Sequence, residues 1–328
     1  MNKCFTYIAV TLLVLLSAGS CGPRKGGGKS EPAQPKTGIA RQFPMVTPPA
    51  MVEDQNEKLE YMTLHYWDAF MKPEQGLRCD SLYVSGVQKG EVEQKLANFI
   101  YMLDMLPMKG AREAVARMAQ LAEACELADS TSNVFESFVT FSDKYLYDPN
   151  SPMRNEDYYL VYAARLQQSP FLDEVIKEKY AYIVQMCSRN AVGTKAADFR
   201  FMDRKGKIHS LYGIGTQYTL LFFSNPGCES CLEIINFLKA NARVDEMIKT
   251  GILSVVNVYI DEDIEAWRDY MPIYPETWYN GFDPEFKIRN ENTYHVRAIP
   301  SLYLLDEQKT VLIKDAVPEK LFKLIDSL

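Results

Sequence analysis

Cys228, Glu229, Ser230 and Cys231 set two thiols one helical turn apart, the spacing at which a dithiol can open and close a single disulfide. They follow an apolar run, Leu220-Leu221-Phe222-Phe223, and a turn segment, Ser224-Asn225-Pro226-Gly227, and they open an amphipathic stretch reaching Asn241. A cysteine at a helix amino terminus faces unpaired backbone N–H groups and the positive end of the helix dipole, both of which stabilise a thiolate. Cys228 is therefore read as the nucleophile. Cys231, one turn further on and expected to be more buried, is read as the resolving thiol that attacks the mixed disulfide and releases reduced substrate.

Other chemistries fit these residues less well. Half of a structural zinc site would need a second Cys or His pair at usable spacing, and the chain offers none. Haem attachment requires His after the second cysteine, where Leu232 stands, and Asn225 occupies the position at which a peroxidatic site has Thr. A copper or zinc carrier needs further ligands near Cys228. His65, His209 and His295 are scattered along the chain, so no metal and no cofactor is expected. A purely structural disulfide stays open at this level. Glu229 lies between the thiols, where a carboxylate opposes a thiolate, raises the Cys228 pKa and favours the disulfide. With no cation near it in the sequence, the pair is expected to be a reductant. Glu229 reads equally as a solvated first-turn acid that suits the helix dipole.

The elements that must hold this pair begin near Val192, where the chain changes to short β-like runs separated by turn residues. Strands are expected at 199–202, 206–211, 218–223, 253–259, 301–305 and 310–314, and helices at 228–241, 263–270, 284–294 and 318–328. Strands alternating with helices predict an α/β layer with parallel pairing inside it. Before it, residues 53–190 repeat apolar residues at helical spacing. Val92, Leu96, Phe99, Ile100, Leu103 and Leu106 share one face, as do Val115, Met118, Ala122 and Cys125. So do Val134, Phe138, Phe141 and Tyr145, and then Ile176, Tyr180, Ile183 and Cys187. About five to seven helices packed as a bundle would bury these stripes, with no strands among them. Cys125 and Cys187 read as small core residues. Trp267, Tyr270, Tyr274, Trp278, Tyr279 and Phe282 either pack the domain core and its rim or line a peptide groove.

On Cys228-x-x-Cys231, the opening Val192-Gly193-Thr194-Lys195-Ala196-Ala197-Asp198-Phe199 and the segment Val296-Arg297-Ala298-Ile299-Pro300-Ser301-Leu302, residues 192–328 resemble a thioredoxin-fold domain of the TlpA type. The resemblance implies an α/β thioredoxin fold at the carboxy terminus, a thiol:disulfide oxidoreductase activity and a cis-proline at Pro300. A cis Pro300 would present the Ile299 backbone edge beside Cys228 for an extended substrate segment. Departures are Gly227 and Ser224, where the family carries Trp, and Phe222, where thioredoxin itself has a buried acid. The preceding all-α domain is similar in texture to the helical module found before such domains in bacterial lipoproteins.

The amino terminus supplies the address. Lys3, the apolar stretch 5–16 and Ser17-Ala18-Gly19-Ser20-Cys21 make an export signal too short to span a bilayer comfortably. The small residues before Cys21 resemble a bacterial lipobox, with Ala18 where Leu is usual, which implies lipidation of Cys21 and stable anchoring by several acyl chains. Expected boundaries are a signal peptide at 1–20, a Gly-, Pro-, Lys- and Ser-rich tether at 21–50, a separate helical domain at 51–191 and the redox domain at 192–328. With 328 residues, 47% of them apolar, each domain has material for a core. The net charge of −7 excludes the basic stripe of a nucleic-acid binder. The expected protein is a lipid-anchored, periplasm-facing reductant of disulfides in exported proteins of a Gram-negative bacterium, recharged by an upstream dithiol donor. The alternative is a partner-binding lipoprotein in which this fold is mainly a scaffold.

Overall fold

The computed structural model describes residues 38–328. The signal peptide, Cys21 and the first part of the tether lie outside the described residues.

Most residues of the expected apolar stripes become the buried faces of helices; Ile176, at the exposed start of the last stripe, does not, and Leu106 and Tyr145 are only partly buried. In chain order the helices are α1 (Gln55–Leu64), α2 (Lys89–Leu103), α3 (Met108–Ala128), α4 (Val134–Ser142), α5 (Glu156–Leu166) and α6 (Glu174–Cys187), with a π-helical turn at Asp143–Tyr147 continuing α4. Val92, Leu96, Phe99, Ile100 and Leu103 of α2 are all buried, as are Val115, Met118, Ala122 and Cys125 of α3. They meet around Trp67, whose ring stands edge-on to Phe138 at 4.8 Å. Asp54, Asn155 and Asp173 accept from backbone N–H groups and start α1, α5 and α6, satisfying donors that a helix start leaves unpaired.

Two details differ from expectation. This region is not purely helical: β1 (Tyr83–Val84) and β2 (Val87–Gln88) form an antiparallel ribbon. Ser85 and Gly86, both at positive φ, supply the tight turn, and strands of two residues are too short to show alternation. The tether also ends before residue 50. Ile39 bridges Leu77, Arg41 donates to the carbonyls of Phe70 and Ser85, and Phe43 is buried against Phe70 with ring centroids 5.2 Å apart. One buried aromatic and one Arg are enough to seat a stretch whose composition is otherwise that of a linker.

The remaining elements are β3 (Arg200–Asp203), β4 (Ile208–Ser210), β5 (Tyr218–Phe223), α7 (Glu229–Ala240), α8 (Ala242–Lys249), β6 (Leu253–Tyr259), α9 (Ile264–Tyr270), β7 (Tyr279–Phe282), α10 (Lys287–Asn290), β8 (Ser301–Leu305), β9 (Val311–Ile313) and α11 (Pro318–Ser327). They make one mixed sheet of order β4-β3-β7-β6-β5-β8-β9, a thioredoxin-like α/β fold following the helical region. β5 lies inside the sheet, parallel to β6 and antiparallel to β8. Its continuous apolar run is explained by burial on both faces. Leu220 and Phe222 pack with Cys231, Ile235 and Leu321, whereas Leu221 and Phe223 pack with Phe201, Tyr294 and Tyr303.

The helix expected at 284–294 shrinks to the four residues of α10. Asp283 accepts from the amides of Glu285 and Ile288, and Phe286 and Asn292 take left-handed backbone that interrupts a longer helix. α8 was not expected as a separate helix; Asn241 caps it by accepting from Arg243 and Val244. β7 was not expected either. Asn280 and Gly281 are poor strand formers, but a Cβ on Gly281 would stand 2.6 Å from the Met202 carbonyl oxygen, so close pairing with β3 needs glycine there. Among the described residues, no helix is long and apolar enough to cross a membrane.

Candidate active site

Cys228 and Cys231 are joined as a disulfide with Cα atoms 5.2 Å apart. β5 delivers them: its last residue, Phe223, is followed by the turn to Gly227, whose φ of 72° requires left-handed backbone that glycine adopts freely. Cys228 is the N-cap of α7, and its Sγ accepts from the Cys231 N–H at 3.2 Å. One sulfur atom thus lies at the positive end of a three-turn helix. Cys231 is fully buried with Ile234, Ile235 and Leu238 on the core face, Cys228 is half-buried, and Glu229 points to solvent.

The Ile299–Pro300 peptide bond is cis. Pro300 enters β8, and Ser301 directly after it donates from Oγ to Asp315 Oδ1 at 2.8 Å. A cleft of about 450 Å³ is lined by Ser230, which lies between the two cysteines in sequence, and Phe237 of α7, by Ile299 and Pro300, and by Phe322 of α11. Phe237 stacks on Phe322 with centroids 3.7 Å apart, so this wall is aromatic. Pro149, Asn150 and Arg154 of the helical region form another wall. The chain therefore brings a cation into the cleft that no sequence neighbour of Cys228 provides. Arg154 is held there by the carbonyls of Asp315 and Ala316, at 3.2 and 3.3 Å.

Beneath the turn, Ser224 is buried. Its Oγ donates to Asn257 Oδ1 at 2.6 Å and lies 2.9 Å from the Tyr274 hydroxyl. Burial pushes the Tyr274 phenol up, against the hydrogen bonds from Ser224 and Asn257. Phe222 stays wholly apolar in the core. Of the aromatic cluster, Trp267, Tyr274 and Trp278 are buried, which answers the alternative of core packing against a peptide groove; none of the cluster lines the cleft.

Glu156, in the first turn of α5, is the residue that sequence reasoning missed. Its Oε1 lies 2.9 Å from His295 Nδ1 and 2.7 Å from Arg297 Nε, and its Oε2 lies 2.7 Å from Lys314 Nζ. Arg297 also reaches Asp315 at 3.0 Å. In the sequence Glu156 follows Asn155 as an ordinary first-turn acid, and nothing marks it as buried. Burial raises its pKa, but the His295 contact and the Lys314 and Arg297 charges outweigh this and hold the carboxyl at about 2. Asp315 moves the other way: burial and the neighbouring Glu156 charge raise it despite Arg297 and Arg154.

His295, read from the sequence as an isolated histidine, thus has Glu156 and Cys187 as neighbours, their ligand atoms all within 4.8 Å of one another. Lys314 and Arg297 already occupy both carboxylate oxygens, and burial pushes the Cys187 thiol well up. A divalent cation at this point would be repelled by two fixed positive charges. Cys125 is likewise pushed up to about 11 by burial, so both behave as core thiols.

A family model described as thioredoxin-like matches residues 215–311, and one described as a domain of unknown function (DUF5106) matches residues 20–190. Among solved structures, a thioredoxin-like protein from Bacteroides caccae is 32% identical over 88% of this chain and 99% of its own, with a TM-score of 0.75. The carboxy-terminal domain of an uncharacterized protein from Bacteroides fragilis is 41% identical over 42% of this chain and 98% of its own, with a TM-score of 0.41. The thioredoxin domain of a thiol-disulfide oxidoreductase from Bacteroides vulgatus is 20% identical over 42% of this chain and 96% of its own, with a TM-score of 0.38. No curated protein matches the chain.

Proposed function

Because this chain belongs to the thioredoxin-like proteins, with its amino-terminal half in the family of the domain of unknown function DUF5106, we propose that it is a cell-envelope thiol:disulfide oxidoreductase that reduces disulfides of exported proteins. The observation that carries this reading is a Cys-x-x-Cys disulfide at the amino terminus of α7, which follows β5, with Phe223 of β5 paired to Ser301, the residue after Pro300.

The reaction follows from the geometry. In the reduced protein, the Cys228 thiolate is stabilised by the α7 amino terminus and attacks one sulfur of a substrate disulfide. A bond forms between Cys228 and that sulfur, and the other substrate sulfur leaves as a thiolate. Cys231, deprotonated in turn, attacks Cys228 Sγ; the intermolecular bond breaks, the substrate departs as a dithiol and the Cys228–Cys231 bond closes. Two electrons have passed to the substrate, and an upstream dithiol donor must return two to the pair. The open backbone edge before Pro300 gives an extended substrate segment a strand to pair with. Anchoring through Cys21 would hold this activity at the membrane surface.

The test is turnover of a model protein disulfide by the purified full chain with a small dithiol as donor. Wild type should accelerate the reduction and Cys228→Ser should reduce it to the rate of the dithiol alone. Full activity in Cys228→Ser would refute the nucleophile assignment, and a wild type no faster than the dithiol alone would leave the scaffold reading as the better account.

A further inference from the structure

The segment from His295 to Ser301, which contains the cis peptide bond, is pinned at three points to groups outside it. His295 and Arg297 meet Glu156, and Ser301 donates to Asp315, which Arg297 also engages. Arg297 further lies over the Tyr147 ring at 4.4 Å. Glu156 and Tyr147 belong to the helical region, so the edge expected to receive substrate is fastened to an element far from it in sequence.

The energetics favour a geometric role for this cluster. The side chains of Glu156 and Lys314 are each 1% exposed, and those of Arg297 and Asp315 are nearly as buried. Buried ion clusters contribute little net stability, because desolvation offsets most of the attraction, but removing one member leaves an uncompensated charge and frees its partners to move. Lys314 is tied down twice more, donating to the carbonyls of Cys187 and Arg189 at 2.8 and 2.7 Å. Glu156 is therefore fixed to a rigid neighbour on one side and to the cis-proline segment on the other.

We infer that Glu156 is a positioning residue of the redox site, through which the helical region holds the cis-proline edge in register for substrate and so sets substrate affinity. This rests on the proposed oxidoreductase activity. Glu156 touches neither thiol, so its removal should act on recognition of a protein disulfide and leave the electron balance of the Cys228–Cys231 pair alone.

The experiment compares wild type, Glu156→Gln and Arg297→Lys as full chains. The second variant keeps its positive charge and guards against misfolding of the first, because a single ammonium cannot span Glu156 and Asp315 as the guanidinium fork does. The expected result is a KM for the protein disulfide raised about tenfold, kcat within about twofold of wild type, an unchanged reduction potential, and faster amide hydrogen exchange confined to residues 295–301. A folded variant with wild-type KM and wild-type exchange in that segment would overturn the inference, as would a shifted potential with KM unchanged. If wild type proved inert toward protein disulfides, the activity reading would fall, while the exchange measurement would still decide whether Glu156 holds the segment.

Discussion

The Glu156 carboxylate of α5 lies 2.7 Å from the Lys314 ammonium just beyond β9, with both groups shut away from solvent. This contact closes the helical region onto the thioredoxin-like sheet, and its electrostatics set a pH dependence. Glu156 has a folded pKa of about 2, depressed from the ordinary 4.5. A depressed carboxyl contributes stability above its unfolded pKa and loses it as pH falls through the folded value. Asp315, raised by burial, works in the opposite sense, its contribution being lost as pH rises through its folded pKa. The stability difference between wild type and Glu156→Gln should therefore be largest near neutrality and shrink between pH 4.5 and about 2. Thermal melting of both proteins across this range checks it, and a difference independent of pH would refute the assignment.

Replacing the buried Cys231 by Ser should leave Cys228 able to attack but unable to resolve. Covalent adducts with substrate should accumulate on Cys231→Ser, disappear on adding dithiol and be absent from the Cys228→Ser, Cys231→Ser double variant. Non-reducing gel mobility and mass spectrometry read this directly. Adducts that persist in the double variant would place the reactive thiol elsewhere.

Glu229 is exposed at the first position of α7, so its charge is screened by water. The pair should have a potential near or below roughly −200 mV. Glu229→Gln should lower the Cys228 pKa and move the potential upward, since a stabilised thiolate stabilises the dithiol form, by no more than about 30 mV. Redox titration against glutathione measures the potential, and thiolate absorbance against pH measures the Cys228 pKa. A strongly oxidising potential, or a downward shift in the variant, would contradict the reductant reading.

Gly281 stands where β7 approaches β3, and an added Cβ would collide with the Met202 carbonyl at 2.6 Å and the Phe201 ring at 2.7 Å. Gly281→Ala should cost about 1–3 kcal/mol by forcing backbone apart in a packed core, seen as a lower denaturant midpoint. Gly206→Ala, where nothing lies within 4 Å but φ is 78°, should cost no more than about 1–2 kcal/mol from backbone strain alone. Equal stability of Gly281→Ala and wild type would show that the two strands are not this close.

Cys21 is expected to carry the lipid anchor. Wild type recovered from a bacterial envelope should need detergent for extraction and should show acyl chains on its amino-terminal peptide, while Cys21→Ala should do neither. An unacylated wild-type protein would end this proposal.

What the sequence by itself determined is local. The apolar run of β5, the turn to Gly227, the Cys228-x-x-Cys231 spacing and the amphipathic stretch reaching Asn241 are all contiguous, so their pattern announced both the element and the thiols it carries. The buried faces of α2 and α3 were legible for the same reason. What only the tertiary structure decided is which distant residues meet. The β1–β2 ribbon and β7 are too short or too poor in strand formers to declare themselves, and their pairing is set by partners elsewhere in the chain. Glu156, His295, Arg297 and Lys314 look like solvated residues when read one at a time, because a charge pattern does not state whether water or an opposite charge will surround it. Packing the helical region onto the sheet removes the water and leaves the Glu156 carboxylate compensated by His295, Arg297 and Lys314. The same packing carries Arg154 into the cleft beside Pro300.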